Sequence, residues 1–447
     1  MLTFTEPLDG LKRRSMQIAD IYKIYLNHPQ ISTDTRKIES GSIFLALKGA
    51  NFNGNEFAEK ALGLGAAYAI VDDAKYKTNE RMILVPDALT TLQELARFHR
   101  DQLNIPVIGI TGTNGKTTTK ELIYSVLKEK FHVFATQGNL NNHIGVPLSI
   151  LSIGKDIEVA VVEMGANHIG EIAFLCSIAK PDYGLITNVG RAHLEGFGSY
   201  EGVKKAKGEL YSWLSSHNGT LFIQQNNEEL MDMAGGLSFK ERIGYGFSKE
   251  AMVSGHLVEN NPFLRLKWKS RGIENLASTQ LTGAYNTENI LAAVCIGTFF
   301  GLTEEEINRG VSSYQPMNNR SQVLNTDRNT LICDYYNANV SSMKAALENL
   351  RSIQTDLPKV AILGDMFELG DDSSKEHKNL IELAGAIDGL NCLFIGSAFF
   401  EHKSEDYLFF KTTDAAREWL LQSPLRGQLI LLKASRGMAF EQLISVL

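Results

Sequence analysis

Short apolar runs alternate with longer segments of helical periodicity along most of this chain. Runs such as PVIGI, EVAVVEMG, KVAILGD and QLILLKAS are almost continuously apolar, which is typical of strands buried on both faces. Between them, segments such as TTLQELARFHRDQL carry apolar residues at helical spacing,. The alternation predicts an α/β fold in which helices cover mostly parallel sheets.

Three α/β segments follow one another, and they predict three domains: residues 1–102, 103–314 and 315–447. In the second segment, VSGHLVENNPFLRLKWKS alternates strictly and predicts antiparallel strands, while Thr303 and Glu306 have the spacing of a capping box,. The third segment reads as a doubly wound, Rossmann-like unit that ends in a helix over MAFEQLISVL,. We therefore expect a central, mostly parallel sheet domain flanked by two smaller α/β domains.

Net charge, apolar runs and cysteine spacing exclude some kinds of binding partner and cellular location. The net charge of −7 provides no general basic field for nucleic acid or for an anionic membrane,. No apolar run approaches the length of a membrane span, and residues 1–15 lack the apolar centre of a signal peptide,. The four cysteines form no CxxC pair, so we expect buried, reduced thiols in a cytoplasmic protein, with no nucleic acid and no membrane insertion.

The stretch VIGITGTNGKTTTKEL, residues 107–122, follows an apolar strand and opens a helix. Gly112 and Gly115 allow backbone N–H groups to approach phosphate oxygens, Lys116 adds positive charge, and Thr117 offers a hydroxyl to Mg²⁺. The common G-x-x-x-x-G-K-[ST] pattern would place its first glycine at position 110, where this chain has Ile. The alternative is a glycine-rich turn with an incidental lysine, but the strand–loop–helix context favours phosphate binding.

Three further residues have chemistry that suits a metal site. Glu163 ends the strand EVAVVEMG, at the sheet edge where the phosphate loop also lies,. His193 follows another strand, and Lys207 lies in the helical run KKAKGEL. From the residues alone, Glu163 is a metal ligand or a solvated acid, His193 is more typical of a structural histidine, and the lysine run is typical of a solvated helix face.

Seven stretches together resemble the Mur ligases over nearly the whole chain from about Ser32 onward. They occur in the family's order: GITGTNGKTTTKEL, GNLNNHIGVPLSIL, VVEMGANHIGEI, TNVGRAHLEGFGSYEGVKKAKGEL, YYNANVSSMKAAL, LGDMFELG and KASRGMAFE. The N-terminal stretch STDTRKIESGSIFLALKG resembles the UDP-sugar-binding domain of the same family.

The resemblance implies an ATP-dependent, Mg²⁺-dependent ligase of peptidoglycan precursor synthesis, working as a cytoplasmic monomer. Its branch of the family would join D-alanyl-D-alanine to UDP-N-acetylmuramoyl-tripeptide through an acyl phosphate. Lys207 matches the family lysine that CO₂ converts to a carbamate, and this reaction requires a lowered lysine pKa.

The resemblance also assigns roles to residues of this sequence. The implied catalytic residues are Lys116, Glu163, His193 and Lys207, and the implied metal-site residues are Thr117, Glu163, His193 and carbamylated Lys207. The implied ATP-binding residues are Gly112, Thr113, Asn114, Gly115, Lys116, Thr117, Thr118, Asn286, Asn289, Arg320 and Asp334. The implied substrate-binding residues are Ser32, Thr33, Arg36, Lys48, Asn141, Asn142, Asn337 and Asn339.

The chain departs from the family pattern at three places. Tyr285 stands where the family usually has His, Val340 replaces the usual Pro after the NAN stretch, and NFNGNEF lacks the usual Asp-Gly-His. The first affects the expected base contact, the second leaves a loop less constrained, and the third affects the expected uridine contacts.

Other functions remain open from the sequence. The nearest alternative is another Mur-type ligase or a folylpolyglutamate ligase, but the YYNAN loop and the STDTR stretch favour the D-alanyl-D-alanine branch, and the chain lacks the Asp-Asn-Pro-Arg motif of the diaminopimelate-adding ligase. A GTPase-like switch would require an Asn-Lys-x-Asp motif, which the chain lacks. A non-catalytic nucleotide-binding protein would be expected to have lost Lys116, Glu163 or Lys207, yet all three are present.

Overall fold

The computed structural model describes residues 17–190 and 194–447, and its contacts separate two compact units. The first contains the described residues up to Asn104 together with residues 137–155 and 177–180. The second contains residues 105–136, 156–176 and the described chain from Pro181 onward. Within the described residues, no helix is both long and apolar enough to cross a membrane.

A four-stranded parallel sheet, in the order β1-β2-β5-β6, forms the centre of the N-terminal region. Its strands β2 and β5 are nearly or wholly buried because helices supply the apolar cover that parallel strands require,. The helices are α1 (Ile18–Asn27), α2 (Ala58–Gly63) and α3 (Ala88–Gln102), and the strands are β1 (Ile31–Ser32), β2 (Ile43–Leu45), β3 (Lys48–Gly49), β4 (Phe52–Asn53), β5 (Tyr68–Val71) and β6 (Met82–Leu84).

The middle region forms a nine-stranded sheet in the order β15-β14-β13-β12-β11-β10-β7-β9-β8. The strands are β7 (Val107–Thr111), β8 (Val133–Ala135), β9 (Val159–Glu163), β10 (Tyr183–Ile186), β11 (Thr220–Gln224), β12 (Glu241–Gly246), β13 (Val253–Asn260), β14 (Leu264–Ser270) and β15 (Ile273–Ser278). The helices are α4 (Lys116–Leu127), α5 (Gly145–Leu151), α6 (Glu171–Ala179), α7 (Leu194–Phe197), α8 (Tyr200–Ser216), α9 (Glu228–Met233), α10 (Asn286–Phe299) and α11 (Glu304–Ser313). Helix α5 belongs to the first compact unit.

Strand β7 lies at the point where the order of the parallel strands reverses. It pairs with β9 on one side and with β10 on the other. The chain leaves β7 through α4 towards β8, and it later crosses from β9 through α6 to β10. A crevice opens at the carboxyl ends of the strands at such a switch point, and ligands of open α/β sheets bind there.

The C-terminal region forms a six-stranded sheet in the order β16-β17-β21-β18-β19-β20, with only the β16–β17 pair antiparallel. Helices cover both faces of the sheet, and the sheet separates two apolar clusters, as in doubly wound folds. The elements are β16 (Gln322–Asn325), β17 (Thr330–Cys333), α12 (Val340–Ser352), β18 (Lys359–Gly364), α13 (Ser373–Gly385), β19 (Leu390–Ile395), α14 (Ser397–Phe400), β20 (Leu408–Phe410), α15 (Thr413–Gln422) and β21 (Leu429–Lys433).

Several local predictions are confirmed by this architecture. The alternating segment after residue 252 forms the antiparallel pair β13–β14, and Thr303 with Glu306 forms a capping box. All four cysteines are buried and free. The predicted final helix is present as a 3₁₀-helix over Phe440–Val446. It begins two residues later than predicted, because Ala439 takes a φ of +52°, which a right-handed helix does not include,.

The predicted boundaries of three domains, after residues 102 and 314, stay a prediction. The contacts group the middle and C-terminal regions into one unit, and they assign residues 137–155 and 177–180 to the N-terminal unit.

Candidate active site

The loop after β7 requires glycine at two positions. Gly112 has a φ of +143°, and a Cβ there would lie 2.0 Å from the Thr187 Oγ1 atom. Gly115 has a φ of +78°, and a Cβ there would lie 2.8 Å from the Asn289 Oδ1 atom. Because both the backbone angle and the space exclude a side chain, the glycines fix a tight turn into α4.

The neighbouring strand β10 braces this loop. The Asn114 backbone N–H donates to Asn188 Oδ1 at 3.0 Å, and the Thr187 hydroxyl donates to the Asn114 carbonyl at 2.6 Å. The Thr113 N–H donates to the Asn188 carbonyl at 2.9 Å. The loop is therefore held in shape by the chain that follows β10, at the carboxyl edge of the sheet.

Lys116 begins α4 and curls back over the loop. Its ammonium donates to the carbonyls of Gly112 at 2.7 Å and Thr113 at 3.0 Å. Desolvation of the ammonium is the main cause that lowers the pKa of Lys116 to about 8; the charge of Glu163 opposes this shift and the charge of Arg320 adds to it. The site thus places a desolvated cation at the N-terminus of a helix, where a bound anion would be stabilised by both.

Glu163 is buried at the end of β9, and its carboxylate accepts a hydrogen bond from the Thr117 hydroxyl at 2.9 Å. The Glu163 N–H in turn donates to the Thr136 hydroxyl at 3.0 Å. A hydroxyl and a carboxylate side by side are the oxygen ligands that Mg²⁺ prefers. The pair Thr117–Glu163 therefore fits the predicted magnesium site, although the described residues hold no group of three or more His, Cys, Asp or Glu side chains that could bind a metal.

Lys207 is 2% exposed in the middle of α8. Its Nζ lies 3.4 Å from the Ala166 carbonyl oxygen and 5.2 Å from the centre of the Phe197 ring. Burial lowers the pKa of Lys207 to about 7, and the charge of Lys116 adds to this effect. A buried lysine of this pKa is the chemical state that carbamylation requires, whereas the lysine run alone had suggested a solvated face.

Two predicted ATP residues lie behind the loop. Asn289 Oδ1 accepts from the Thr119 hydroxyl at 3.0 Å, and Asn289 Nδ2 donates to Asn286 Oδ1 at 2.9 Å. Both asparagines are buried at the start of α10, so in this structure they tie α10 to α4. Tyr285, the departure from the family's His, has its hydroxyl 2.8 Å from the Ser321 Oγ atom.

The C-terminal residues predicted at the nucleotide lie on loops at the carboxyl end of their sheet. Asp334 follows β17, and its carboxylate pairs with Lys433 at 3.0 Å. The guanidinium carbon of Arg320 lies 3.8 Å from the centre of the Tyr336 ring, at the distance of a cation–π contact. The charge of Arg320 contributes to the lowered pKa of Lys116.

Asn337 and Asn339 lie on the same C-terminal loop. The Asn337 carbonyl accepts from the Lys433 ammonium at 2.6 Å, and Asn339 caps α12 by accepting from the Ser342 N–H at 2.9 Å. Asn339 Nδ2 also donates to Asn114 Oδ1 of the phosphate loop at 2.8 Å.

The residues predicted to contact uridine diphosphate are engaged with their own neighbours. Arg36 forms an exposed ion pair with Asp34 at 2.7 Å, and Lys48 pairs with the buried carboxylate of Asp72 at 2.9 Å. Ser32 Oγ donates to the Asp34 carbonyl at 2.9 Å. The roles of these residues and of neighbouring Thr33 stay predictions.

Two side chains of the N-terminal unit concern the predicted peptide contacts and the stretch that departs from the family pattern. Asn142 Oδ1 accepts from the Ile144 and Gly145 N–H groups at the start of α5, at 3.1 and 2.8 Å. The roles of Asn141 and Asn142 towards a substrate stay predictions. Asn55, within the departing stretch NFNGNEF, donates to Asp72 Oδ1 at 2.7 Å, so it helps to hold the partner of Lys48.

His193, predicted at the metal site, lies outside the described residues.

Sequence reasoning missed Lys120, which is fully buried in α4. Its ammonium donates to the Thr136 carbonyl and pairs with Glu121 at 3.0 Å. Because Thr136 also holds the Glu163 backbone, Lys120 supports the candidate metal ligand from behind. A signal was present, since Lys120 precedes Ile123 and Leu127 by three and seven residues and so shares their buried helix face,.

A phosphate loop at a switch point, with a buried carboxylate and two lysines of lowered pKa, defines a nucleotide-dependent enzyme of the P-loop class. Three family models match the chain in succession: the Mur ligase family catalytic domain over residues 29–100, the Mur ligase middle domain over 110–297, and the Mur ligase glutamate ligase domain over 319–436. The chain belongs to the Mur ligase family.

Individual relatives agree with this assignment. The chain is 35% identical to the UDP-N-acetylmuramoyl-tripeptide–D-alanyl-D-alanine ligase of Bacillus subtilis (strain 168), covering 97% of this chain and 98% of that protein. A crystal structure of MurF from Acinetobacter baumannii matches with a TM-score of 0.82 at 30% identity, covering 93% of this chain and 92% of that one. The MurF ligase of Thermotoga maritima in complex with ADP also gives 0.82, at 27% identity over 94% and 97% of the two chains.

These relationships confirm the predicted α/β fold, the Mur ligase resemblance, and the prediction of an ATP-dependent ligase that forms a carbon–nitrogen bond.

Proposed function

We propose that this chain joins D-alanyl-D-alanine to UDP-N-acetylmuramoyl-tripeptide at the expense of ATP, in the synthesis of peptidoglycan precursors. The observation that carries the proposal is the near-full-length similarity to ligases of that name. The residues that phosphoryl transfer requires support it, because Lys116, Thr117, Glu163 and Lys207 are all present, Thr117 donates to Glu163, and both lysines have a lowered pKa.

The reaction needs activation because a carboxylate is a poor electrophile at neutral pH. A carboxylate oxygen of the tripeptide attacks the γ-phosphorus of ATP, and ADP leaves with the electrons of the broken P–O bond. The dipeptide amine then attacks the acyl phosphate carbonyl, loses its proton, and inorganic phosphate leaves from the tetrahedral intermediate. Lys116 and the loop N–H groups stabilise the charge on the transferred phosphoryl group.

Thr117 and Glu163 would hold Mg²⁺, with His193 and carbamylated Lys207 as further residues of that centre. When bound, the ion neutralises charge on the phosphate oxygens. The Lys207 ammonium first loses one proton, and the neutral amine then reacts with CO₂, forming an N–C bond and releasing a second proton, so the side chain becomes an anion. The lowered pKa of Lys207 supports this step, because an ordinary lysine has only roughly one neutral amine in 2,500 at pH 7,.

We assign the remaining roles as follows. Gly112 to Thr118 bind the ATP phosphates, Asn286 and Asn289 lie on the base side, and Arg320 and Asp334 contact phosphate and ribose. Ser32, Thr33, Arg36 and Lys48 contact the uridine diphosphate, and Asn141, Asn142, Asn337 and Asn339 contact the peptide substrates. The enzyme works as a cytoplasmic monomer with three domains bounded near residues 102 and 314.

The test is phosphate release from ATP with UDP-N-acetylmuramoyl-tripeptide, with and without D-alanyl-D-alanine, followed by mass analysis of the product. We expect release that needs both substrates and a pentapeptide product. Release that needs glutamate and a folate instead would assign the chain to the folylpolyglutamate branch. ATP binding without turnover by any acceptor would favour a non-catalytic nucleotide-binding protein.

A further inference from the structure

The phosphate loop makes a side-chain contact with the C-terminal region that the reaction chemistry does not itself require. Asn339 Nδ2 donates to Asn114 Oδ1 at 2.8 Å, Asn114 Nδ2 donates to Ser341 Oγ at 2.8 Å, and Ser341 Oγ donates to Asn339 Oδ1 at 2.9 Å. The three side chains form a closed ring of hydrogen bonds. We call Asn114, Asn339 and Ser341 the loop–helix latch.

On the loop side, the backbone and the side chain of Asn114 have separate tasks. Its N–H and carbonyl are held by Asn188 and Thr187, which fix the loop to strand β10. These backbone bonds shape the loop, and the amide adds a separate restraint on it, because both ends of that amide are directed to the start of α12.

On the helix side, the identity of the capping residue matters. The Asn339 Oδ1 atom caps α12 by accepting from the Ser342 N–H. Aspartate also caps helices but has no donor, and serine and threonine cap through a single hydroxyl close to the backbone. Asparagine accepts through one end of its longer amide and donates through the other. Asparagine caps the helix and still offers an N–H to Asn114.

Little space is left between the phosphate loop and the start of α12 for the backbone that lies there. Gly190 lies between them, since a Cβ on it would be 3.2 Å from Ser341 Oγ and 3.4 Å from the Thr113 Cγ2 atom. The Gly190 N–H donates to the Thr113 hydroxyl at 2.9 Å. A larger residue at this position would push Ser341 away from the loop.

We propose that Asn114 is a positioning residue which, through Asn339 and Ser341, sets the register of the C-terminal glutamate ligase region on the phosphate loop. This inference rests on the proposed function. The latch makes the alignment of Arg320 and Asp334 depend on the loop that holds the phosphates. Breaking it lowers turnover while leaving the affinity for ATP, which the backbone provides, almost unchanged.

The variants are Asn114→Ala, Ser341→Ala and their combination, with Ser342→Ala as the matched control on the next residue of the same helix turn. Ser342 Oγ bonds only to the Asn339 backbone. We expect each latch variant to lower kcat about 5- to 10-fold, as for one lost hydrogen bond. The double variant should be no slower than either single one, and Ser342→Ala should stay within about twofold of the parent. Asn339→Ser, which retains a cap but cannot reach Asn114, should match Ser341→Ala.

Hydrogen exchange provides a readout that does not depend on ligation. Ser341→Ala should speed amide exchange in the loop peptide 107–122, whereas Ser342→Ala should not. If the unmodified enzyme makes no amide product, the proposed function fails while this exchange experiment still tests the latch. Multiplicative losses in the double variant, equal losses in Ser341→Ala and Ser342→Ala, or unchanged loop exchange would each overturn the proposal.

Discussion

The middle and C-terminal sheets both carry charged loops at the carboxyl ends of parallel strands, but they treat those charges differently. Around the middle sheet, Lys116 and Lys207 lack a carboxylate close enough to offset burial, and their pKa values fall to about 8 and about 7. Around the C-terminal sheet, Lys433 pairs with Asp334 at 3.0 Å and Arg320 stacks on Tyr336. The middle sheet thus keeps Lys116 as a desolvated cation for an incoming anion and Lys207 as a readily deprotonated amine. In the C-terminal region, by contrast, Asp334 compensates the charge of Lys433, and the Tyr336 ring holds Arg320 in place.

The largest expected effect tests the uncompensated side of this comparison. Lys116→Met should lower kcat by about 10²- to 10³-fold, because it removes a preorganised cation from the transferred phosphoryl group. Its thermal unfolding midpoint should not fall, since a desolvated ammonium is replaced by an apolar side chain. Steady-state phosphate release and calorimetry measure the two quantities.

Lys433→Met is the matched variant for the compensated side. It should lower the free energy of unfolding by about 1–3 kcal/mol, because it leaves the mostly buried Asp334 carboxylate without its partner,. A stability loss in Lys116→Met together with none in Lys433→Met would reverse the comparison.

The second prediction concerns the carbamate. At a fixed concentration of ¹³C-labelled CO₂, the carbamate signal on Lys207 should rise as the pH increases from 6 to 8, because the fraction of neutral amine increases through a pKa of about 7. Lys207→Arg should show no such signal and should lose about 10- to 100-fold in activity. A ¹³C NMR spectrum of the parent enzyme without a Lys207-dependent carbonyl signal would exclude the carbamate.

Lys120→Met should have a smaller effect, which is confined to the metal requirement. The variant loses the bond that holds Thr136 behind Glu163, so the Mg²⁺ concentration for half-maximal activity should rise about 10-fold. A magnesium titration measures it, with KM for D-alanyl-D-alanine as the internal control. An unchanged magnesium requirement would show that Lys120 only fills the core.

The smallest effect is expected at Tyr336. Tyr336→Leu removes the ring on which Arg320 lies and should raise KM for ATP about 2- to 5-fold, as for one partly buried cation–π contact,. Tyr336→Phe keeps the ring and should match the parent enzyme. Equal behaviour of the Leu and Phe variants would show that Tyr336 does not position Arg320.

A feature could be predicted from the sequence when the residues that form it lie close together along the chain. The phosphate loop could be located because a strand end, a glycine spacing and a helix start lie within a few residues of one another. Glu163 could be located because it ends a continuously apolar strand. Lys207 could be selected from its lysine run only through the family resemblance, since its burial depends on how α8 packs. The latch could not be predicted, because Asn114 and Ser341 are 227 residues apart and only the folded chain brings them together.

The central claim is that the loop uses ATP to activate a carboxylate, and an isotope experiment tests it most directly. The tripeptide substrate would be labelled with ¹⁸O in its terminal carboxylate, and the phosphate released during ligation would be analysed by mass spectrometry. The account predicts one ¹⁸O atom in each released phosphate, because the attacking carboxylate oxygen leaves with the phosphoryl group. Phosphate without ¹⁸O would contradict an acyl phosphate, and with it the role assigned here to the phosphate loop.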